Sequence, residues 1–555
     1  MVALYGAPAS AQSGSGAYLA GRQAAIANDY EAAAQYFTQA LTYNLSDPEL
    51  MESAALAQLS LGRIDRALPM AEQIEAAGLR SQIAHMVVVA NLISDKNYAA
   101  LLERDPDQLG IGPLVDGLVE AWAHIGNGSV AQGLERFDQI SEEAGLRGFA
   151  MYQKALALAL VGDFEGADAI LSDETAGGII RTRRGATVQA EILSQLDRNE
   201  DALALLADAF DGQLDPELKG MIDRLSAGEQ LPMTHVTSVN DGFAEVFYSI
   251  GSALLNEAAP DYALIYTRVA AYLRPDHIDA LLLSAELLDN LGQWDLAIDT
   301  YKKVPKGHGA YHAAELGRAE ALRKNGKPDA AVEVLEQLAR NYPDLTLVHS
   351  TLGDLLRQQD DFAGAIAAYD RALALADDGA RAQWFLYYAR GISYERSDKW
   401  PEAEADFRTA LELNPDQPQV LNYLGYSMVE KKVDLDEALE MIERAVAARP
   451  DSGYIVDSLG WVLYRLGRYD DAVEHMERAV ELEAVDPIVN DHLGDVYWAV
   501  GRFREARFQW NRALSFDPED IEADRIRRKL ESGLDQVLEE EGAPPLKLTN
   551  DENEG

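Results

Sequence analysis

Along the second half of the chain, small residues recur at a nearly constant interval among larger apolar ones. Gly251, Ala285, Ala319, Gly353, Gly391, Gly425, Gly460 and Gly494 follow one another in steps of 34, 34, 34, 38, 34, 35 and 34 residues. Twelve or thirteen residues after each stands an alanine: Ala263, Ala297, Ala331, Ala365, Ala403, Ala438, Ala472 and Ala506. A large side chain often follows four residues later, as at Tyr301, Tyr369, Phe407 and Trp510. A second small residue comes seven after the alanine at Ala270, Ala372, Ala410, Ala445, Ala479 and Ala513. Pro275, Pro343, Pro415, Pro450 and Pro518 close several units. The pattern predicts two helices and a turn per unit. The first small site lets the two helices of a unit approach, and the later alanines do the same for the next unit, where a larger side chain would hold the backbones apart. Each proline sits where a helix must stop and the chain turn.

This period resembles the tetratricopeptide repeat (TPR) pattern, a helical hairpin of 34 residues stacked into a solenoid. Eight units in near-constant register fill 243–518. The N-terminal stretch 13–207 carries the pattern in degenerate form. Gly21, Asn28, Tyr30, Ala33, Phe37 and Ala40 occupy the slots of one repeat. Ala55, Gly62 and Ala67 match the next, and Ala155, Gly162, Phe164 and Ala167 a later one. Residues 208–242, including LPMTHVTSVNDG, break the register and are the candidate joint between two solenoid arms. A charged helix over 519–540 is the expected polar cap of the array, and the acidic tail 541–555 is expected to be disordered. The expected fold is thus all-α, a TPR helical-hairpin solenoid wound as a right-handed superhelix.

Charge narrows the partners. Against 48 Lys and Arg stand 93 Asp and Glu, a net charge of −45, which argues against binding nucleic acid or anionic lipid. The absence of cysteine excludes disulfides, thiolate zinc sites, iron–sulfur clusters and cysteine nucleophiles. No apolar run is long enough to span a bilayer. Residues 1–12, MVALYGAPASAQ, end on Ala9-Ser10-Ala11, the pattern that precedes signal-peptidase cleavage. We read them as the remnant of a signal peptide, so the expected location is the periplasm. The alternative is the alanine-rich N-terminus of a cytoplasmic protein.

The nucleotide-binding, metalloprotease and serine-hydrolase motifs are all missing. His308 and His312 stand four apart but flank a turn-like PKGHGAY, and no carboxylate partner is evident. Carboxylate pairs are too abundant for any one to stand out as an acid/base dyad. No enzyme activity, metal or cofactor is expected.

Binding is better supported. In a TPR array the first helix of each hairpin lines the concave face, at positions three before and one, four and five after the first small residue. Those slots hold Tyr388 and Arg396, then Asn422 and Tyr426, then Asp457, Trp461 and Arg465, then Asp491, Asp495 and Trp498. Aromatic rings interleaved with amides and charges suit an extended peptide. The rings hold apolar side chains, and the polar groups satisfy its backbone. The carboxylates favour basic or neutral ligands.

The segments RGISYERSDKWPEAEADFRTALELNPDQPQVLNYLGYS (390–427), DSLGWVLYRLGRYDDAVEHMERAV (457–480) and NDHLGDVYWAVGRFREARFQWNRAL (490–514) carry a narrower likeness. They resemble the large TPR proteins of Gram-negative, especially alphaproteobacterial, envelopes. Lipoprotein members of that group are adaptors that present cell-wall hydrolases to carboxy-terminal processing proteases. The resemblance implies a non-enzymatic scaffold whose partners are a processing protease and client proteins, peripherally associated with the envelope. Those adaptors are anchored through a lipobox cysteine, which this sequence lacks. The alternative reading is a scaffold for envelope or exopolysaccharide assembly with no protease partner.

Overall fold

The computed structural model describes residues 14–173, 182–210, 214–376, 381–543 and 546. The expected signal remnant and most of the acidic tail therefore lie outside the described residues. Among those described the chain is helical throughout, with no strand. It divides into two compact units, 1–342 and 343–555. The register break at 208–242 falls inside the first unit, where Pro216–Ser226 forms a further helix.

Local chemistry sets the hairpin ends. Pro48, Pro216 and Pro487 each take the first helical position, where a missing N–H costs nothing, and each follows an aspartate that caps the helix. Asp486, for example, accepts from the backbone N–H groups of Ile488 and Val489, both at 2.9 Å.

In the second unit, hairpins start at Thr346, Trp384, Pro418, Gly453 and Pro487, and each pairs its two helices through the sites read from the sequence. A Cβ added at Gly353 would lie 2.7 Å from the Tyr369 ring, and one at Gly391 would lie 2.7 Å from the Phe407 ring. At Gly494 the indole of Trp510 would be only 2.4 Å away. The helices Asp520–Ser532 and Leu534–Glu540 follow the last hairpin.

The first unit is built differently. Its N-terminal hairpins pack in sequence, but the hairpin Val239–Ala253/Pro260–Leu273 also lies across their first helices. Its leading helix packs on Pro113–Gly126 and Arg147–Leu160, and its second on Pro48–Ser60 and Gln82–Ser94. Those helices are accordingly apolar on more than one face. Gln82–Ser94 buries Ala84, Met86, Val87, Val88, Val89, Ala90 and Ile93, more than a single stripe can hold. The fit is tight: a Cβ on Gly242 would lie 2.4 Å from the indole of Trp122. Tyr98 stacks on Phe243 at 5.9 Å and donates to Asn240 Oδ1 at 2.9 Å. Arg268 is buried and donates to the carbonyl of Ser60 at 3.0 Å. No carboxylate among the described residues lies within ion-pair distance of it, and burial pushes its pKa down to about 10.

Candidate functional site

The sequence-predicted residues converge on the second unit, where the helices Trp384–Arg396, Pro418–Lys431, Gly453–Arg465 and Pro487–Ala499 come together. Between them lies a cavity of about 400 Å³. Arg396, Asn422, Tyr426 and Asp457 line it, together with Glu395, Tyr423, Glu430, Tyr454, Asp486 and Ile488. The Oδ1 of Asn422 is buried and has no hydrogen-bond partner among the described residues. A buried acceptor left unpaired is costly and ready for an N–H donor. Burial pushes the Tyr426 phenol well above its ordinary value, so it remains a neutral donor. Arg396 is exposed, and no carboxylate among the described residues pairs with it. Four carboxylates share the wall with this one guanidinium; Lys431 lies 3.7 Å from Glu395 and Arg465 3.8 Å from Glu430, while Asp486 has no cation within ion-pair distance among the described residues.

The other predicted residues are placed differently. Tyr388 is half-buried and packs on Phe407 and Tyr423, with ring centroids 6.1 and 6.0 Å away. Trp461 is buried; its Nε1 donates to Glu430 Oε1 at 2.7 Å, and its ring stacks on His492 at 4.0 Å and Tyr464 at 4.9 Å. Arg465 lies 5.9 Å from the Trp461 ring centroid and 3.8 Å from Glu430. His492 bonds Asp457 at 3.0 Å. Burial alone lowers the His492 pKa, but Asp457, backed by Asp491 and Asp495, outweighs burial and holds it above the ordinary histidine value.

Asp491, Asp495 and Trp498 are engaged by the chain's own C-terminal helices. Lys529, fully buried, places Nζ 2.7 Å from Asp491 and 2.6 Å from Asp495. Trp498 donates from Nε1 to Asp535 Oδ2 at 2.7 Å, and a Cβ on Gly533 would meet its ring at 2.6 Å. A periodic reading places these three side chains on the first-helix face but does not reveal that the cap lies over them. It also passed over Tyr454 and Ile488, each six residues before a first small site. Their signal was an apolar residue where the helix has just begun.

A second polar cluster lies in the first unit. Arg184 Nε donates to Glu245 Oε2 at 2.9 Å, and its guanidinium also meets Asp279. His277 Nδ1 accepts from the N–H of Ala280 at 3.2 Å, so Nε2 carries the proton toward Glu245, 3.1 Å away. Burial raises the Glu245 carboxyl, but Arg184 and His277 overcome it and hold the group well below the usual carboxylate range. Each of these groups is already satisfied within the protein, which makes the cluster a brace. His308 and His312 take different partners: His308 Nδ1 accepts from the N–H of Ala310 and its Nε2 lies 3.9 Å from Glu217, a carboxylate neighbour the sequence did not make evident, whereas His312 bonds the carbonyl of Gly309. Among the described residues no three His, Asp or Glu side chains form a metal-binding group. No described helix is long and apolar enough to cross a membrane.

The tetratricopeptide repeat family matches residues 18–78, 282–346, 316–380, 388–453, 431–489 and 458–521, together more than half of the chain. The chain belongs to the tetratricopeptide repeat family. This TPR protein is 28% identical over 173 residues to a TPR repeat-containing protein of Pseudomonas aeruginosa, a stretch covering 31% of this chain and 28% of that protein. It is 24% identical over 226 residues to protein O-mannosyl-transferase TMTC1 of Homo sapiens, covering 40% and 24%. The chain thus spans about a quarter of the length of each of these relatives. Among solved structures, the APC/C hetero-tetramer Cut9–Hcn1 is similar at a TM-score of 0.38 and 16% identity, over 94% of this chain and 97% of that one. YrrB, a TPR protein with an unusual peptide-binding site, is similar at a TM-score of 0.29 and 21% identity, over 36% and 99%. The repeats make this protein a protein–protein interaction scaffold.

Proposed function

We propose that this TPR protein is an adaptor of the bacterial cell envelope. It holds a client protein in the groove of the second unit while another surface holds a periplasmic carboxy-terminal processing protease. The observation that carries the groove assignment is the buried, unpartnered Oδ1 of Asn422 in a cavity walled by Tyr423, Tyr426 and carboxylates. A client backbone N–H completes that acceptor, the rings cover its apolar side chains, and the carboxylates favour basic residues beside them. The inner face of the N-terminal hairpins is filled by the chain's own Val239–Leu273 hairpin, which leaves their outer helices for the protease. Holding both partners raises the client's effective concentration at the protease without chemistry by the scaffold. The periplasmic setting and the choice of partners follow from the likeness of 390–427, 457–480 and 490–514 to envelope TPR proteins.

The test is crosslinking of the tagged protein in its host, followed by mass spectrometry of what co-purifies. A processing protease together with cell-wall hydrolases is expected, with the hydrolases lost in an Asn422→Ala/Tyr426→Ala variant. Assembly or polysaccharide-export components without a protease would overturn the adaptor role and leave an assembly scaffold. Full client recovery by the folded variant would overturn the groove assignment.

A further inference from the structure

Six helices in the second unit open a hairpin or the cap, and five of them carry a large apolar side chain at their second position. All five are exposed: Leu347 by 56%, Phe385 by 44%, Tyr454 by 56%, Ile488 by 43% and Ile521 by 84%. The sixth helix has Gln419 there. Scattered exposed apolar residues are ordinary on any protein surface. Five at one register position are not scattered, and they contribute little to packing where they stand. Such a row marks an interaction surface. Tyr454 and Ile488 form part of the cavity wall beside Asn422, so the row runs into the groove.

Geometry and charge describe what the row fits. The opening helices of the last three hairpins touch one another in order, and packed helices lie about 8–10 Å apart. A polyproline-II segment has three residues per turn and advances about 9 Å over them, so every third side chain stands on one face. A segment crossing these helices in that conformation therefore presents every third side chain to the next member of the row, with a polar one at the step of Gln419. On the adjoining wall Lys431, Arg465 and His492 already approach Glu395, Glu430 and Asp457, whereas Asp486 meets no cation among the described residues, and with the chain's net charge of −45 this favours positive charge between those anchors.

We propose that this row is a docking ridge for a basic segment of a partner protein that lies across it in polyproline-II conformation and carries a large apolar side chain at every third position. The proposal rests on the groove reading above and specifies what the groove takes. The probe is a fluorescein-labelled peptide of about thirteen residues, with leucine at every third position except a central glutamine, and lysine and serine between. Fluorescence anisotropy with the full chain compares it with a peptide of the same composition whose leucines alternate, and with one whose lysines are glutamates. Both controls are expected to bind at least about tenfold more weakly, and Tyr454→Ser/Ile488→Ser to weaken the first peptide by a similar factor. Both substituted side chains are exposed, so circular dichroism should report an intact fold.

Equal affinity for the alternating peptide overturns the ridge. So does an unaffected Tyr454→Ser/Ile488→Ser variant when Asn422→Ala/Tyr426→Ala loses binding, and in that case the groove reading survives. Binding undiminished in both variants overturns the ridge and the groove together. Failure of every peptide to bind overturns the ridge, while client crosslinking decides the groove separately. A change of oligomeric state in the ridge variant would assign the row to a second copy of this chain and overturn the peptide proposal.

Discussion

Replacing Lys529 with methionine removes one charge from the most enclosed ion cluster of the second unit while keeping most of the side-chain stem. The ammonium is fully buried, 2.7 Å from Asp491 and 2.6 Å from Asp495, and Asp495 is itself 1% exposed. At an effective dielectric constant of about 20, Coulomb's law gives about 6 kcal/mol for each contact. Burying the ions takes back several kcal/mol apiece, and breaking a buried pair from one side typically costs about 3–5 kcal/mol. Arg525, 3.6 Å from Asp495, remains to offset part of the exposed repulsion, which puts the expectation near the lower end, about 3 kcal/mol. The loss should concentrate in Asp520–Ser532 and Leu534–Glu540, which ride on this contact. Hydrogen-exchange mass spectrometry should show faster exchange there and at Pro487–Ala499, with the hairpins of the first unit unchanged. Burial already raises the Asp491 pKa, with Asp495 adding to it and Lys529 opposing. Without Lys529 the two carboxylates repel, so acidification should return part of the lost stability. An unaltered exchange profile, or a loss below about 1 kcal/mol, would refute the view that this pair holds the cap down.

Three further outcomes are expected. Gly242→Ala puts a methyl 2.4 Å from an indole that Gln153 pins by a 2.8 Å hydrogen bond, so the first unit should lose about 1–3 kcal/mol, read by urea denaturation; an unchanged midpoint would show that the hairpin is loosely seated. Two of the buried histidines, His277 and His492, should give the units opposite pH responses. Burial and Arg184 outweigh Glu245 and Asp279 and hold His277 below 6.5, so its contribution is complete above that pH and lost as pH falls through the folded value. His492 is held above 6.5 by its aspartates, so its contribution is complete below that pH and lost as pH rises through the folded value. Thermal melts of His277→Gln and His492→Gln against wild type between about pH 5 and pH 8 should show each slope flattening, and slopes of one sign would contradict the assignment. Trp122→Ala should cost about 3–5 kcal/mol, because the removed ring also supports Gly242 and Phe137 across two hairpins; a loss under about 1 kcal/mol would mean that the core there refills.

The hairpins were legible in the residues alone because their defining contacts are local and periodic. Gly353 meets Tyr369, Gly391 meets Phe407 and Gly494 meets Trp510, each pair sixteen residues apart on the two helices of one hairpin. Helix geometry fixes that offset, so it shows as spacing. The groove residues Arg396, Asn422, Tyr426 and Asp457 were legible for the same reason: position within a repeat sets the face on which a side chain stands. Long-range packing leaves no such period. Nothing in the spacing couples Gly242 to Trp122, or Lys529 to Asp491 and Asp495. Only the tertiary structure decides that the first unit fills its inner face with its own hairpin and that the cap covers Asp491, Asp495 and Trp498. The physical reason is that a solenoid buries its repeats through nearest neighbours, which the sequence dictates, whereas whatever covers the remaining apolar and charged faces is chosen by complementarity of shape and charge between distant segments.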